Sequence, residues 1–359
     1  MNQARPVSGA PRPRVYLDRL ESDYLTPVRV GLDWIGLASR LRWGDTVFIK
    51  PNLTFPVFRK GVMTNPQCLE DVVIALRDYT NRIIVGEADS GGYNRFSIDH
   101  VFDAIGLREL QRRYGIQIVN LSHCPYRSVA FNYRGRQHAV PMSELLLDNV
   151  DLFVTVPVPK THMNTRISMA VKNQWGCIPE PNMRLRLHPM FEKVIFEVNS
   201  LLRPSIAVVD GKYGLNRSGP MLGDVVDLDW VMVADDVYAA DVVGCELMRI
   251  RPADVYYLRY AGAHEGTVTS TSEIDLNQET RPFQRERFYL KRAWTDYPGV
   301  LAFRSSRIAY LAYYSPFADI LHRLLYVFRK PFYDYGAPEH TLDVEPVDAS
   351  TQPITRETV

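Results

Sequence analysis

Apolar residues along this chain fall into short continuous runs separated by stretches with helical spacing. Val47-Phe48-Ile49 reads as a buried strand running into Lys50-Pro51-Asn52. Asn65-Pro66 then offers an N-cap followed by proline at the first helical position. Leu69, Val72, Val73 and Leu76 continue on one helical face to about Tyr79. Arg82 to Gly86 is the next strand, followed by the loop Glu87-Ala88-Asp89-Ser90-Gly91-Gly92. Ser97 caps a helix carrying Ile98, Val101, Phe102 and Ile105. Ile116 to Leu121 and Leu152 to Val156 are further strands, the second apolar on both faces and ended by Pro157 and Pro159. Helices are predicted from about Thr165 to Trp175 and from about Pro189 to Leu202. Ile206 to Val209, ending in Asp210-Gly211, and Trp230 to Ala234, ending in Asp235-Asp236, complete the strands before a helix to about Met248. This alternation predicts an α/β fold, a doubly wound, mainly parallel sheet with helices on both faces.

Composition divides the chain further. Residues 1–14 and 337–359 lack apolar periodicity and read as loose tails around an α/β domain over 15–280 and a C-terminal appendage over 281–336. The chain has 42 Lys and Arg against 41 Asp and Glu, so no global charge draws it to nucleic acid. Its four cysteines, Cys68, Cys124, Cys177 and Cys245, show no zinc or iron–sulfur spacing and read as reduced thiols. The N-terminal residues have no apolar core of a signal peptide, and no apolar run is long enough for a membrane span. The expected location is cytoplasmic, with a peripheral position on the inner membrane face as the variant.

Candidate chemistry gathers after the strands. In an open parallel sheet, loops at the carboxyl ends of strands converge on one crevice. Lys50 and Asn52 follow one strand, Glu87 and Asp89 another, Lys160, Thr161 and His162 a third, Asp210 a fourth, and Asp235 with Asp236 a fifth. Pro157 and Pro159 stiffen the backbone before Lys160-Thr161-His162, and Lys172-Asn173 precede Gly176, a helix-stop residue. Two lysines and an amide suit a carboxylate or phosphate, while His162 has the intrinsic pKa of a proton-transfer group. The structural alternatives are a helix-dipole role for Lys172, a solvated Lys160 and a hydrogen-bonded His162. Asp210 reads as a ligand of a divalent metal, a lysine partner or a turn former, and Asp235 as a helix cap. Glu87 and Asp89 beside Ser90-Gly91-Gly92 could shape a phosphate or metal loop, although neither GxGxxG nor a Walker sequence is present.

The segments Gly44 to Asn52, Pro157 to His162, Ala170 to Gly176, Val209-Asp210-Gly211 with Gly219-Pro220 and Gly223, and Ala234 to Asp241 occur in one order. In these blocks the chain resembles the Domain of Unknown Function 362 family over roughly residues 44–250. The resemblance implies that Lys50, Asn52, Lys160, His162, Lys172, Asn173, Asp210 and Asp241 share one site. Many relatives carry a ferredoxin-like cluster domain, which implies redox work. This chain lacks those cysteines, so electron transfer would require an external redox partner. A fainter likeness to the α/β domain of lactate-racemase-type proteins implies proton or hydride transfer at a hydroxy-acid carbon.

The appendage differs in character. Residues 281–335 hold 10 Lys or Arg against 4 Asp or Glu, with aromatics at 15 of 55 positions. Phe317, Ile320, Leu321, Leu324 and Phe328 define one face of an amphipathic helix. Such a helix, within residues 305–335, fits an anionic membrane surface, packing on the body or self-association. The expected function is thus an enzyme of isomerase or oxidoreductase type: His162, Lys160 and Lys172 are catalytic, Lys50, Asn52, Thr161 and Asn173 bind an anionic small molecule, and Asp210 and Asp241 serve a metal. The alternative is a membrane-docked ligand-binding or electron-transfer accessory protein.

Overall fold

The computed structural model describes residues 11–91, 96–313 and 315–328. Twelve strands are present: β1 Arg14–Arg19, β2 Thr46–Pro51, β3 Arg82–Glu87, β4 Gln117–Asn120, β5 Tyr126–Tyr133, β6 Arg136–Ser143, β7 Leu152–Val156, β8 Lys160–His162, β9 Arg166–Ser168, β10 Ile206–Asn216, β11 Asp224–Ala234 and β12 Asp275–Leu276. The helices are α1 Leu25–Trp34, α2 Pro66–Arg77, α3 Ile98–Ala104, α4 Leu107–Tyr114, α5 Glu144–Asp148, α6 Ala170–Asn173, α7 Pro181–Leu187, α8 Phe191–Leu202, α9 Val237–Leu247, α10 Tyr256–Ala261, α11 Tyr297–Ala302, α12 Ser306–Tyr313 and α13 Ala318–Tyr326.

The main sheet runs β12-β1-β11-β10-β7-β2-β3-β4, with β8 and β9 attached beside β10. From β10 to β4 every neighbouring pair is parallel. β11 is antiparallel to both β10 and β1. The period-two geometry of strands explains the two-layer core. Phe48, Phe153 and Val209 enter one cluster, together with α8 and α9. Their neighbours Val47, Ile49, Val154 and Val208 enter the other, with α1 and α2. Both faces are covered by helices, as a mainly parallel sheet requires.

Local signals set the helix starts. Asn65 accepts from the Gln67 amide at 2.9 Å with Pro66 behind it, and Ser97 accepts from the Asp99 amide at 3.3 Å. The cap of α9 is Asp236, accepting from the Ala239 amide at 2.7 Å; Asp235 instead accepts from the Arg14 amide.

Several expectations need correction. The helix expected from Thr165 is replaced by β9 and the short α6, because Lys160–His162 is itself a strand pairing with Arg166–Ser168. β10 and β11 run on together as an antiparallel hairpin far beyond their apolar runs, through alternating polar positions. The β5–β6 hairpin was not anticipated at all. Arg134 and Gly135 at its tip have φ of 50° and 73°, the left-handed pair that a two-residue hairpin turn demands. Phe283 and Phe288 are buried, and the Phe288 amide donates to the Met248 carbonyl, so the body extends past residue 280. Residues 1–10, Gly92 and the segment 329–359, which holds the expected C-terminal tail and the end of the appendage, lie outside the described residues.

Candidate functional site

The carboxyl ends of β2 and β3, the short β8 and β9, the turn of α6 and the helix α7 enclose a cavity of about 180 Å³. That is many times the ~10–15 Å³ of accessible space one water needs, so the cavity has room for a small molecule. Lys50, Lys160, Lys172 and Arg184 line it together with one carboxylate, Glu87. His162, His188, Asn52, Asn173 and Ser168 add neutral polar groups, and Trp175, Leu185 and Met221 are among the apolar walls.

The four cations are held differently. Lys50 forms a buried ion pair with Glu87 and donates to the Pro51 carbonyl at 2.7 Å. Gly176 makes room for this pair, since a Cβ there would overlap the Glu87 carboxylate. Lys160, 1% exposed, donates to the Val62 carbonyl at 2.7 Å and approaches Thr54 Oγ1 at 3.4 Å, without a carboxylate. Arg184 donates to the Asp89 carbonyl. Lys172 is half-buried, and its ammonium lies 5.9 Å from the centre of the Phe191 ring, with no carboxylate or hydrogen-bond acceptor among the described residues.

Crowding of like charge shifts these groups. Burial, then the charges of Lys172 and Lys50, holds the Lys160 ammonium well below the usual lysine range, against a pull upwards from Glu87. Burial with Lys50 and Arg184 brings Lys172 down to about 8. Burial, Lys172, His188 and Lys160 together keep His162 well below the ordinary histidine value, and burial takes His188 to about 3. Both imidazoles are therefore neutral at pH 7.

Their hydrogen bonds fix complementary tautomers. Nδ1 of His162 accepts from the Asn164 amide at 3.1 Å, so the proton sits on Nε2. Nδ1 of His188 lies 2.7 Å from the Arg184 carbonyl, which can only accept, so Nε2 of His188 carries a lone pair. His162 thus carries its proton on Nε2 and His188 on Nδ1, and both residues line the cavity.

The structure thus brings together Lys50, Asn52, Glu87, Lys160, His162, Lys172 and Asn173. Asn173 also fastens the site, donating to the Lys50 carbonyl and to Thr155 Oγ1, each at 2.9 Å. Other anticipated residues are engaged elsewhere. Thr161 accepts from the Gly219 amide and faces the Leu215 carbonyl, positioning the loop that carries Pro220. Asp210 accepts from the Tyr24 hydroxyl at 2.6 Å and the Asn65 amide at 2.7 Å, holding the start of α2. Asp241 accepts from the Ala170 amide and the Tyr257 hydroxyl, each at 2.7 Å, and anchors α6 from behind. Asp89 caps α3 through the Ile98 amide at 2.9 Å and binds Asn120 at 2.9 Å. Neither Asp210 nor Asp241 lines the cavity. Among the described residues no three His, Cys, Asp or Glu side chains converge as a metal site would need. Cys68, Cys177 and Cys245 are buried free thiols, and Cys124 is half-buried.

Arg184 and His188 were missed by sequence reading. They stand four residues apart after Pro181, a spacing that places both on one face of a helix. That spacing was the available signal.

A thylakoid-associated protein of Synechocystis sp. is 25% identical over 230 residues, covering 61% of this chain and 68% of that protein. The lactate racemase apoprotein from Thermoanaerobacterium thermosaccharolyticum aligns with 66% of this chain and 56% of its own, at 14% identity and a TM-score of 0.43. A protein from Thermotoga maritima aligns with 65% of this chain and 61% of its own, at 12% identity and a TM-score of 0.38. This chain spans less than two thirds of either solved structure. Residues 47–246, more than half of the chain, match the family described as Domain of unknown function (DUF362), and the chain belongs to that family.

Proposed function

We propose that this protein is an enzyme that binds a small carboxylate or phosphate in the cationic cavity and moves a proton on it. The observation that carries the reading is Lys172: a half-buried ammonium that forms no ion pair among the described residues, in a cavity where the single carboxylate is already taken by Lys50. Burying unpaired charge is costly, and a bound anion offsets that cost. Lys160 adds a second amino group, again with no ion pair to a carboxylate among the described residues.

Each residue has a distinct part. Lys172 and Lys160 hold the anion and stabilise negative charge that develops on it. His162 donates a hydrogen bond from Nε2, and His188 presents the lone pair that takes a proton. Burial depresses both rings most and repulsion from Lys172 adds to it; the negative charge of the ligand counteracts that repulsion, so their basicity rises when the site is filled.

A thermal-shift screen of small carboxylates and phosphates identifies binders. Deuterium incorporation from D2O into the carbon-bound positions of a bound carboxylate then reads proton transfer. The expected result is incorporation by the wild type, lost in His188→Gln while binding persists. Binding without any exchange across all binders would reduce the protein to a ligand carrier.

A further inference from the structure

The C-terminal helices α11, α12 and α13 reverse the usual division between interior and surface. Of the twenty large apolar side chains exposed among the described residues, twelve lie between Trp294 and Phe328. The apolar face predicted for α13 is the outward one: Phe317 is 59% exposed, Ile320 57%, Leu324 60% and Phe328 66%. Trp294 meets Phe328 edge-on with ring centres 5.3 Å apart, joining the two ends of the layer. A contiguous apolar surface of this kind marks an interaction site.

Charge decides among the occupants. Arg304, Arg307 and Arg323 are exposed in this stretch, against Asp296 and Asp319, and the exposed Lys291 and Arg292 directly precede it. A symmetric contact with a second copy would bring that basic collar against itself, because a two-fold interface pairs a patch with the same patch. An anionic lipid surface complements both features, taking up the apolar face at the headgroup boundary and pairing with the arginines. Among the described residues no helix is long and apolar enough to cross a membrane, so the helices would lie on the surface.

We propose that residues 294–328 form a docking surface for the headgroup region of an anionic lipid bilayer. The layer is fixed to the body beside the cation-lined cavity. Phe303 stacks on His188 with ring centres 4.2 Å apart, and Ser306 donates to the Arg186 carbonyl at 3.2 Å. Docking therefore sets the cavity wall formed by α7 close to the bilayer.

Flotation of the full chain with vesicles of phosphatidylcholine alone, and with about one third phosphatidylglycerol, tests the proposal. Each basic side chain near an anionic surface changes partitioning several-fold. The wild type is expected to float with the anionic vesicles at least tenfold more than with neutral ones, and to be released by salt. Leu324→Asp and the triple variant Arg304→Glu, Arg307→Glu, Arg323→Glu should each lose this binding. Both change exposed positions, and Val225→Asp, at an exposed site on β11, should float as the wild type does. Equal partition of wild type and Leu324→Asp, or no preference for anionic lipid, would overturn the proposal. A stable dimer without vesicles that Leu324→Asp dissociates would overturn it too, assigning the face to a second copy.

Discussion

The cavity and the C-terminal helices break the same rule in opposite directions. Around the cavity the protein buries charge: Lys50 and Lys160 are each 1% exposed, and Lys172 stands beside them with no ion pair among the described residues. In the C-terminal layer it exposes apolar side chains, as at Val327, 75% accessible. Each arrangement is costly in the isolated molecule, since charge prefers water and apolar surface avoids it. Both costs fall away if each region meets something outside the chain: in the functions proposed above, an anion for the first and a lipid surface for the second.

Within the cavity the sharpest contrast is between Lys50, which owns a carboxylate, and Lys172, which does not. Removing Glu87 should have the largest effect, because it leaves Lys50 buried with its charge uncompensated. Glu87→Ala is expected to lose about 3–5 kcal/mol in urea unfolding. The double variant Lys50→Met, Glu87→Leu should regain most of that loss. If the single variant were as stable as the wild type, the ion pair would not be the fixed floor of the site.

Lys172→Ala should act in the other sense. The anion affinity falls at least tenfold, or about 1.4 kcal/mol. Stability without ligand holds or rises, because repulsion on Lys160 and His162 is relieved. A loss of stability without change in affinity would make Lys172 a structural residue.

Acidity gives a third test. Lys172 is lowered from 10.5 to about 8, so it is charged below about 8 and neutral above. Anion affinity should therefore weaken as pH rises past about 8, with proton uptake on binding between about 8 and 10.5. In the same window the unfolded chain holds more protons at this lysine than the native one, so its contribution makes the ligand-free protein more stable as pH rises. A flat affinity from pH 7 to 10 would detach Lys172 from binding.

The smallest effect is expected in the outer layer. Leu324→Asp should change unfolding stability by no more than about 0.5 kcal/mol, since the side chain is exposed. A much larger loss would show that the face is packed in solution.

The parallel core was legible because its strands are continuous apolar runs punctuated by prolines and caps, as at Val47–Ile49, Leu152–Val156 and Asn65-Pro66. The gathering of Lys50, Lys160, Lys172 and Asn173 followed from strand ends converging on one edge. The direction of a side chain at a strand end was not legible. Thr161 and Asp210 sit where a ligand group would, yet turn to hold backbone, and Asp241 braces α6 from the far side. Polar alternation also hid the β5–β6 hairpin, in which β5 is mostly exposed and only the second half of β6 is buried. His188 went unseen because its role depends on packing against Trp175 and Phe303, residues far from it in sequence.

The most direct test of the cationic cavity as an anion site is calorimetric titration of phosphate and of small carboxylates into the full chain and into Lys172→Ala at pH 7. The account predicts saturable binding of at least one such anion by the wild type, weakened tenfold or more in the variant. No binding of any of them, or equal binding to both proteins, would contradict it.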